Sequence, residues 1–310
     1  MAAAHLAAIW NGSLENRMHA VVAAQPRGRR IPLPGRGGDT HGLEFGPQDR
    51  PIDIVFSHAN GFNARTYRTI LGPLAGGLRI LALDQRGHGL SGLAPIEGRV
   101  SWDDVAEDLM AVLETLDVRD AVLSGHSMGG TISLLAAAAA PQRVRGLVLF
   151  DPVVMPPDVS AQSRAGQLAE SPLVQGALRR RAVFPSHEAV IAAYTGRGAF
   201  KTWSADMLAD YVADGFRETA DGQVELTCSP AWEASNFTAH GHDPWAAFAA
   251  VTCPIRILRA EVGSTCRIDG HEATLAAGGD VRVETIPGTS HFLPMERPDL
   301  VRETLSAMAG

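Results

Sequence analysis

Gly125-His126-Ser127-Met128-Gly129 is the stretch whose reading decides the fold. It lies between Asp120-Ala-Val-Leu-Ser124, an apolar run that reads as a strand, and Thr131-Ile-Ser-Leu-Leu135 with five following alanines, which reads as a helix. G-x-S-x-G in a strand–turn–helix setting is the nucleophile elbow, a tight turn that lifts the serine hydroxyl out of the sheet. The flanking positions are glycine because a side chain at either would collide with the neighbouring strand or helix.

Working outward, short apolar runs predict strands at Pro51–Ser57, Arg79–Leu83, Arg145–Phe150, Ile255–Leu258 and Val281–Ile286. A helix is expected over Ala64–Ala75. Another is expected over Trp102–Leu116, where Val105, Leu109, Val112, Leu113 and Leu116 recur at helical spacing, with Ser101 as N-cap and Asp104 three residues on. Strands alternating with helices predict an α/β fold: a mostly parallel central sheet with helices on both faces. The alternation breaks between 155 and 245, a stretch with several helical patterns and no convincing strand. It reads as a helical cap insertion over the carboxyl edge of the sheet, leaving 1–154 and 246–310 as the core domain. Before residue 50 the pattern is weak. Arg17–Ala24 reads as a strand, and 26–38, rich in Pro, Gly and Arg, as a loop or hairpin turn.

Composition bounds the function. The chain has 310 residues, 45% hydrophobic and 20% charged, enough for one large core or one domain with a sizeable insertion. A net charge of −7 argues against nucleic acid or an anionic membrane as partner. The one basic run, Arg179-Arg180-Arg181, reads as a solvated helix face. Cys228, Cys253 and Cys266 fall in no metal-type spacing, and read as reduced thiols of a cytoplasmic protein, with a Cys253–Cys266 disulfide as the alternative. The first ten residues lack a basic region and a long apolar core, so no signal peptide is expected. No apolar run approaches the roughly 20 residues of a membrane span.

Ser127 is a weak nucleophile unless a base lies in hydrogen-bond reach with an acid behind it. His291, in Pro287-Gly-Thr-Ser-His-Phe-Leu-Pro294, follows the last predicted strand and precedes a helix. Its place after the serine fits the chain order Ser, acid, His.

With His58-Ala-Asn-Gly-Phe62, Asp84-Gln-Arg-Gly-His-Gly-Leu-Ser91, the elbow and Gly288-Thr-Ser-His291, the chain resembles the α/β-hydrolase superfamily with a helical cap, over nearly all of 50–310. The resemblance implies an oxyanion hole of two backbone N–H groups. One is that of Met128. The other is Phe62, when the family's His-Gly-aromatic motif is matched to Asn60-Gly61-Phe62. The acid departs from the pattern, because Gly263 stands at its usual position. Asp151, placed as in the haloalkane-dehalogenase branch, and Glu261 are the two replacements, with Asp269 or no acid as further options. Read structurally, Asp151 would cap a turn and Glu261 would be an exposed loop residue.

Other motifs carry less. Gly87-His-Gly-Leu-Ser-Gly92 matches G-x-G-x-x-G, but Leu93-Ala-Pro95 follows rather than a helix start, so no dinucleotide cofactor is expected. His58, His88 and His126 converge without a carboxylate at ligand spacing, so no metal is expected. His126 is expected to pack beneath the elbow, and His58 to contact substrate or fix the oxyanion loop. The aromatics between Phe184 and Phe248 are expected to form the cap's own core and part of a pocket roof, favouring a substrate with an apolar body. His58, Asn60 and Trp203 are the expected pocket residues; His240 and His242 read as loop residues.

The resemblance thus implies a cofactor-free serine hydrolase acting on a small-molecule ester, thioester or lactone with an apolar acyl group, through an acyl-enzyme. Carbon–carbon bond hydrolysis, peptidase and perhydrolase chemistry use the same three residues. A serine nucleophile argues against epoxide-hydrolase and dehalogenase chemistry, which this fold runs through Asp. The rival class is a non-catalytic member that binds a small ligand. Oligomeric state is left open, a homo-oligomer included.

Overall fold

The computed structural model describes residues 26–156, 171–277 and 279–310. The strand expected at Arg17–Ala24 lies outside them. Eight strands form the main sheet: β1 Arg27–Leu33, β2 Gly38–Phe45, β3 Ile54–Ser57, β4 Ile80–Asp84, β5 Ala121–His126, β6 Val144–Phe150, β10 Ile255–Val262 and β11 Val281–Ser290. Their order is β1-β2-β4-β3-β5-β6-β10-β11. β1 with β2 and β2 with β4 are antiparallel; every other pairing is parallel.

Side chains alternate across the strands and divide the core in two. Val55, Leu81, Leu123 and Leu147 pack on one face with Leu109 and Leu113 of α2 (Asp103–Thr115) and Ile132 of α3 (Met128–Ala139). Phe56, Ala82, Val122 and Val148 pack on the other, with Leu71 of the short α1 (Arg68–Leu71) and Val301 and Leu305 of the C-terminal helix Pro298–Ala309. A sheet buried on both faces accounts for the uninterrupted apolar strands.

Three local expectations are corrected. Residues 27–33 are a strand, not a loop: Ile31 and Leu33 turn inward at period two while Arg30 and Pro32 face out, and the turn is confined to Pro34–Gly37. The helix expected over 64–75 is a 3-10 turn at Ala64–Tyr67, the single α-turn α1, and a second 3-10 turn at Gly72–Gly76. Pro73 removes an N–H donor there and cannot continue an α-helix. The N-cap of α2 is Trp102 rather than Ser101. Ser101 Oγ instead accepts from Asp103 N at 3.3 Å, and Asp104 pairs with Arg99.

Between β6 and β10 lie α4 (Pro172–Leu178), α5 (His187–Tyr194), α6 (Ala205–Gly215) and α7 (Pro230–Thr238). Ser171, Ser186, Ser204 and Ser229 cap them, each accepting from the N–H three residues on. The stretch also holds strands, contrary to expectation: β7 Val183–Phe184, β8 Phe216–Glu218 and β9 Val224–Leu226 form a small antiparallel sheet. Strands of two or three residues are too short to display an alternating pattern. Arg65–Asp214 and Arg68–Asp210 ion pairs tie α6 to the turn after β3.

Candidate active site

The carboxyl ends of β3, β5, β6, β10 and β11 converge, as ligand-binding edges of parallel sheets do. Ser127 follows β5 with φ 56° and ψ −122°, a strained conformation for a residue with a side chain. The close packing of the elbow enforces it. A Cβ on Gly125 would run into the Gly129 backbone, and one on Gly129 into the carbonyls of Ser57 and His58. Ser127 stands at the N-cap position of α3 with its side chain making no capping bond, and the first N–H groups of the helix have no intrahelical acceptor.

His291 follows β11. Its Nε2 lies 3.0 Å from Ser127 Oγ and its Nδ1 2.6 Å from Asp151 Oδ2. With Nδ1–H donating to the carboxylate, the Nε2 lone pair faces the serine hydroxyl. That is the tautomer in which an imidazole can take the hydroxyl proton.

Asp151 follows β6 at φ 42° and is fully buried. Besides His291, its carboxylate accepts from Ala260 N at 2.8 Å, Ser264 Oγ at 2.6 Å and Thr265 N at 3.1 Å. Burial works to raise its pKa, but the bond and charge of His291, with Ser264 and Ala260, outweigh it and hold the carboxyl below its usual value. Ser264 and Thr265 come from the loop after β10, where Gly263 replaces the usual acid. That loop thus supplies donors to the carboxylate. Glu261 is elsewhere: its Oε2 accepts from Gly288 N at 2.8 Å at the exposed surface. Asp269 pairs with Arg259.

The backbone donors differ from expectation at one position. The N–H of Phe62 donates to Ala59 O at 3.1 Å, closing a turn, so it is not open to a ligand. The N–H of Asn60 makes no hydrogen bond among the described residues, nor does that of Met128. Both residues line the cavity in front of Ser127. The Asn60 side chain is pinned, donating to Glu233 O at 3.0 Å and accepting from Asn236 Nδ2 at 3.0 Å.

The histidines around the site are structural in geometry. His58 is fully buried, off the cavity wall, with Nδ1–H on Ala59 O and Nε2 accepting from Gln85 N. It fixes the loop, and its expected place in the pocket is corrected. His88 Nε2 accepts from Gly61 N at 3.1 Å. His126 lies beneath the elbow in a relay. The Ala59 N–H donates to Tyr67 Oη (3.2 Å), that hydroxyl donates to His126 Nδ1 (2.8 Å), and His126 Nε2–H donates to His291 O (2.7 Å). Burial, with His291 nearby, pushes the His126 pKa down to about 3, so the direction of this relay is fixed. Tyr67 carried no signal in the sequence.

The cavity has a volume of about 830 Å³ and is lined by Ser127, Met128, Asn60, Phe62 and His291 below and by Tyr194, Phe200, Tyr211 and Phe237 above. Trp203 is not on its wall; it packs edge-on behind Phe62, ring centroids 5.1 Å apart. His240 and His242 lie in a loop as expected but are buried against Trp102. Arg180 is a further correction: it lines the cavity and pairs with Glu233 instead of facing solvent. Cys228, Cys253 and Cys266 are free thiols. Among the described residues no helix is long and apolar enough to cross a membrane.

The 2-(acetamidomethylene)succinate hydrolase of Mesorhizobium japonicum is 27% identical over 82% of this chain and 86% of its own. A crystal structure of E-2-(acetamidomethylene)succinate hydrolase superposes with a TM-score of 0.70 at 26% identity, covering 91% of this chain and 98% of that one. An esterase of Mycobacterium tuberculosis, 23% identical, shares the fold with a TM-score of 0.69 over 94% of this chain and 97% of its own. The non-heme chloroperoxidase of Streptomyces lividans matches more locally, 39% identical over 36% of this chain and 40% of its own. The model of the alpha/beta hydrolase family matches residues 54–304. The chain belongs to the alpha/beta hydrolase family.

Proposed function

We propose that the protein is a serine hydrolase that cleaves an ester, thioester or lactone of a small molecule through an acyl-enzyme. The observation that carries this reading is the hydrogen-bonded succession of Ser127 Oγ, His291 and Asp151, with separations of 3.0 and 2.6 Å. Ser127 Oγ attacks the substrate carbonyl carbon while His291 Nε2 takes its proton. The N–H groups of Met128 and Asn60 hold the oxyanion; the free Asn60 N–H supports this choice over Phe62. Each such donor is worth about 3–4 kcal/mol of barrier. The tetrahedral intermediate collapses, and His291 gives the proton to the departing oxygen or sulfur. Water then attacks the acyl-enzyme, losing a proton to His291; the second tetrahedral intermediate collapses, Ser127 Oγ leaves and takes that proton from His291 Nε2, and the acid is released. Asp151 holds the Nδ1–H tautomer and stabilises the imidazolium. Residues 155–245 act as a cap that roofs the cavity, over a core of 1–154 and 246–310.

A second reading, hydrolysis of a compound like the one the Mesorhizobium enzyme is named for, is favoured by the 27% identity over 82% of the chain. A fluorophosphonate probe tests what both readings share. Labelling of Ser127, absent in Ser127→Ala, supports them; no labelling of the folded protein favours a ligand binder. Initial rates on acyl esters, thioesters, lactones and the acetamidomethylene compound then separate the two.

A further inference from the structure

Among the aromatic side chains of the cavity wall stands a hydrogen-bonded polar cluster. Arg180 follows α4 and reaches into the cavity, where its Nη1 pairs with Glu233 and its Nη2 donates to Tyr211 Oη at 2.9 Å. Tyr194 Oη lies 3.5 Å from Nη2. Of the five N–H donors of a guanidinium, two are left without an acceptor among the described residues. The cluster sits against the loop that carries the Asn60 N–H. A Cβ on Gly61 would stand 2.9 Å from Glu233 Oε1 and 3.4 Å from Arg180 Nη1. Gly61 is one residue, about 3.8 Å of Cα–Cα distance, from Asn60. The guanidinium therefore borders the loop of Asn60 and lines the same cavity as Ser127.

The ionised groups on the wall are unbalanced. Among the described residues, Arg180, Arg181 and Arg267 line the cavity against one carboxylate, Glu233. His240, at a pKa of about 4 through burial, and His126 are neutral near pH 7. Arg181 lies over the Phe184 ring, and neither it nor Arg267 has an acidic partner among the described residues. An excess of positive charge in a chain of net charge −7 runs against the molecule's overall field. A purely apolar acyl chain filling this space would strip water from the open Arg180 donors and return no acceptor, which is costly for a charged group.

We propose that the acyl group carries a carboxylate, so that the substrate is a short dicarboxylic acid esterified at one end. Arg180 receives the free carboxylate, oriented by Glu233 and Tyr211, and Arg181 and Arg267 draw the anion in. This rests on the hydrolase reading above and revises the expectation of a wholly apolar acyl group.

The test compares kcat/KM for monophenyl esters of succinate, glutarate and adipate with their methyl phenyl diesters, which share the skeleton without the charge. At low salt the best half-ester is expected to be favoured about 10- to 100-fold, and added salt to shrink that ratio. Arg180→Gln is expected to bring the ratio near unity, whichever way the absolute rates move. Arg267→Gln, at an exposed position, is expected to lower it and flatten its salt dependence. Half-esters turned over no better than diesters, or a ratio untouched by Arg180→Gln, overturns the proposal. If Arg180→Gln does not fold, the wild-type ratio and Arg267→Gln decide. A separate arm needs no turnover: glutarate is titrated calorimetrically into Ser127→Ala, with and without Arg180→Lys. Saturable binding weakened about tenfold by the lysine supports the subsite even if no ester is cleaved, and no binding in Ser127→Ala overturns it. Absence of both ester turnover and phosphonate labelling is instead the failure of the hydrolase reading.

Discussion

Asp151→Asn probes the acid most sharply. The carboxylate takes donors on both oxygens: Ala260 N–H and Ser264 Oγ–H on Oδ1, His291 Nδ1–H and Thr265 N–H on Oδ2. Asparagine keeps only one acceptor oxygen. If its NH2 faces the Oδ2 side it meets the fixed Thr265 N–H, and His291 relieves its own clash only by moving its proton to Nε2, where it can no longer accept from Ser127. If the NH2 faces the other side it meets the fixed Ala260 N–H. Either orientation leaves a buried backbone donor unpaired, at about 1–3 kcal/mol of stability. Both remove the charge that stabilises the imidazolium. A loss of kcat of about 10³- to 10⁴-fold follows, or about 4–5 kcal/mol of barrier. Glu261→Gln is the control, since a glutamine oxygen can still accept from Gly288 N, and its activity is expected to stay within about twofold. Initial rates on a p-nitrophenyl ester, with folding checked by circular dichroism, read both. An Asp151→Asn enzyme that retains a tenth or more of wild-type kcat, or a Glu261→Gln enzyme as impaired as it, would refute the assignment.

Other outcomes follow from the same geometry. Tyr67→Phe leaves the Ala59 N–H and His126 Nδ1 unpaired, and is expected to lower kcat about tenfold with KM little changed; a loss of stability alone, with kcat intact, would make the relay purely structural. Gly129→Ala drives a Cβ into the Ser57 and His58 carbonyls, so little folded protein is expected, as solubility and melting temperature will report. Burial depresses the pKa of His126 and His242 to about 3 and of His240 to about 4, so the unfolded chain binds protons first as pH falls below the ordinary histidine value near 6.5. Stability is therefore full above that value and lost below it, by about 2 kcal/mol per histidine between pH 7 and 5. Urea unfolding at the two pH values measures it, and a flat profile would contradict the burial.

What could be read from the sequence was what local packing dictates. The elbow was legible because glycines at 125 and 129 are required by backbones that touch there. The main-sheet strands from Ile54 onward were legible because burial on both faces makes them uniformly apolar. The carboxylate that pairs with His291 was legible only as one option, Asp151, beside Glu261, Asp269 or no acid, since its place depends on the Ser264–Thr265 loop, distant in sequence. That the Phe62 N–H is taken up by Ala59 O could not be read from the residue types, because the turn it closes leaves no pattern in them. Arg180 was misread because the helix before it stops at Leu178, so the run Arg179–Arg181 is not a helix face. The Tyr67–His126 relay joins residues 59 positions apart and has no local signature.

The most direct measurement is to trap the acyl-enzyme. Rapid quenching of a p-nitrophenyl ester reaction, followed by intact mass and peptide mapping, is expected to show one acyl group per chain on Ser127, formed in a burst and lost as turnover proceeds. None is expected in Ser127→Ala. Turnover with no covalent intermediate, or an acyl group on another residue, would contradict the account.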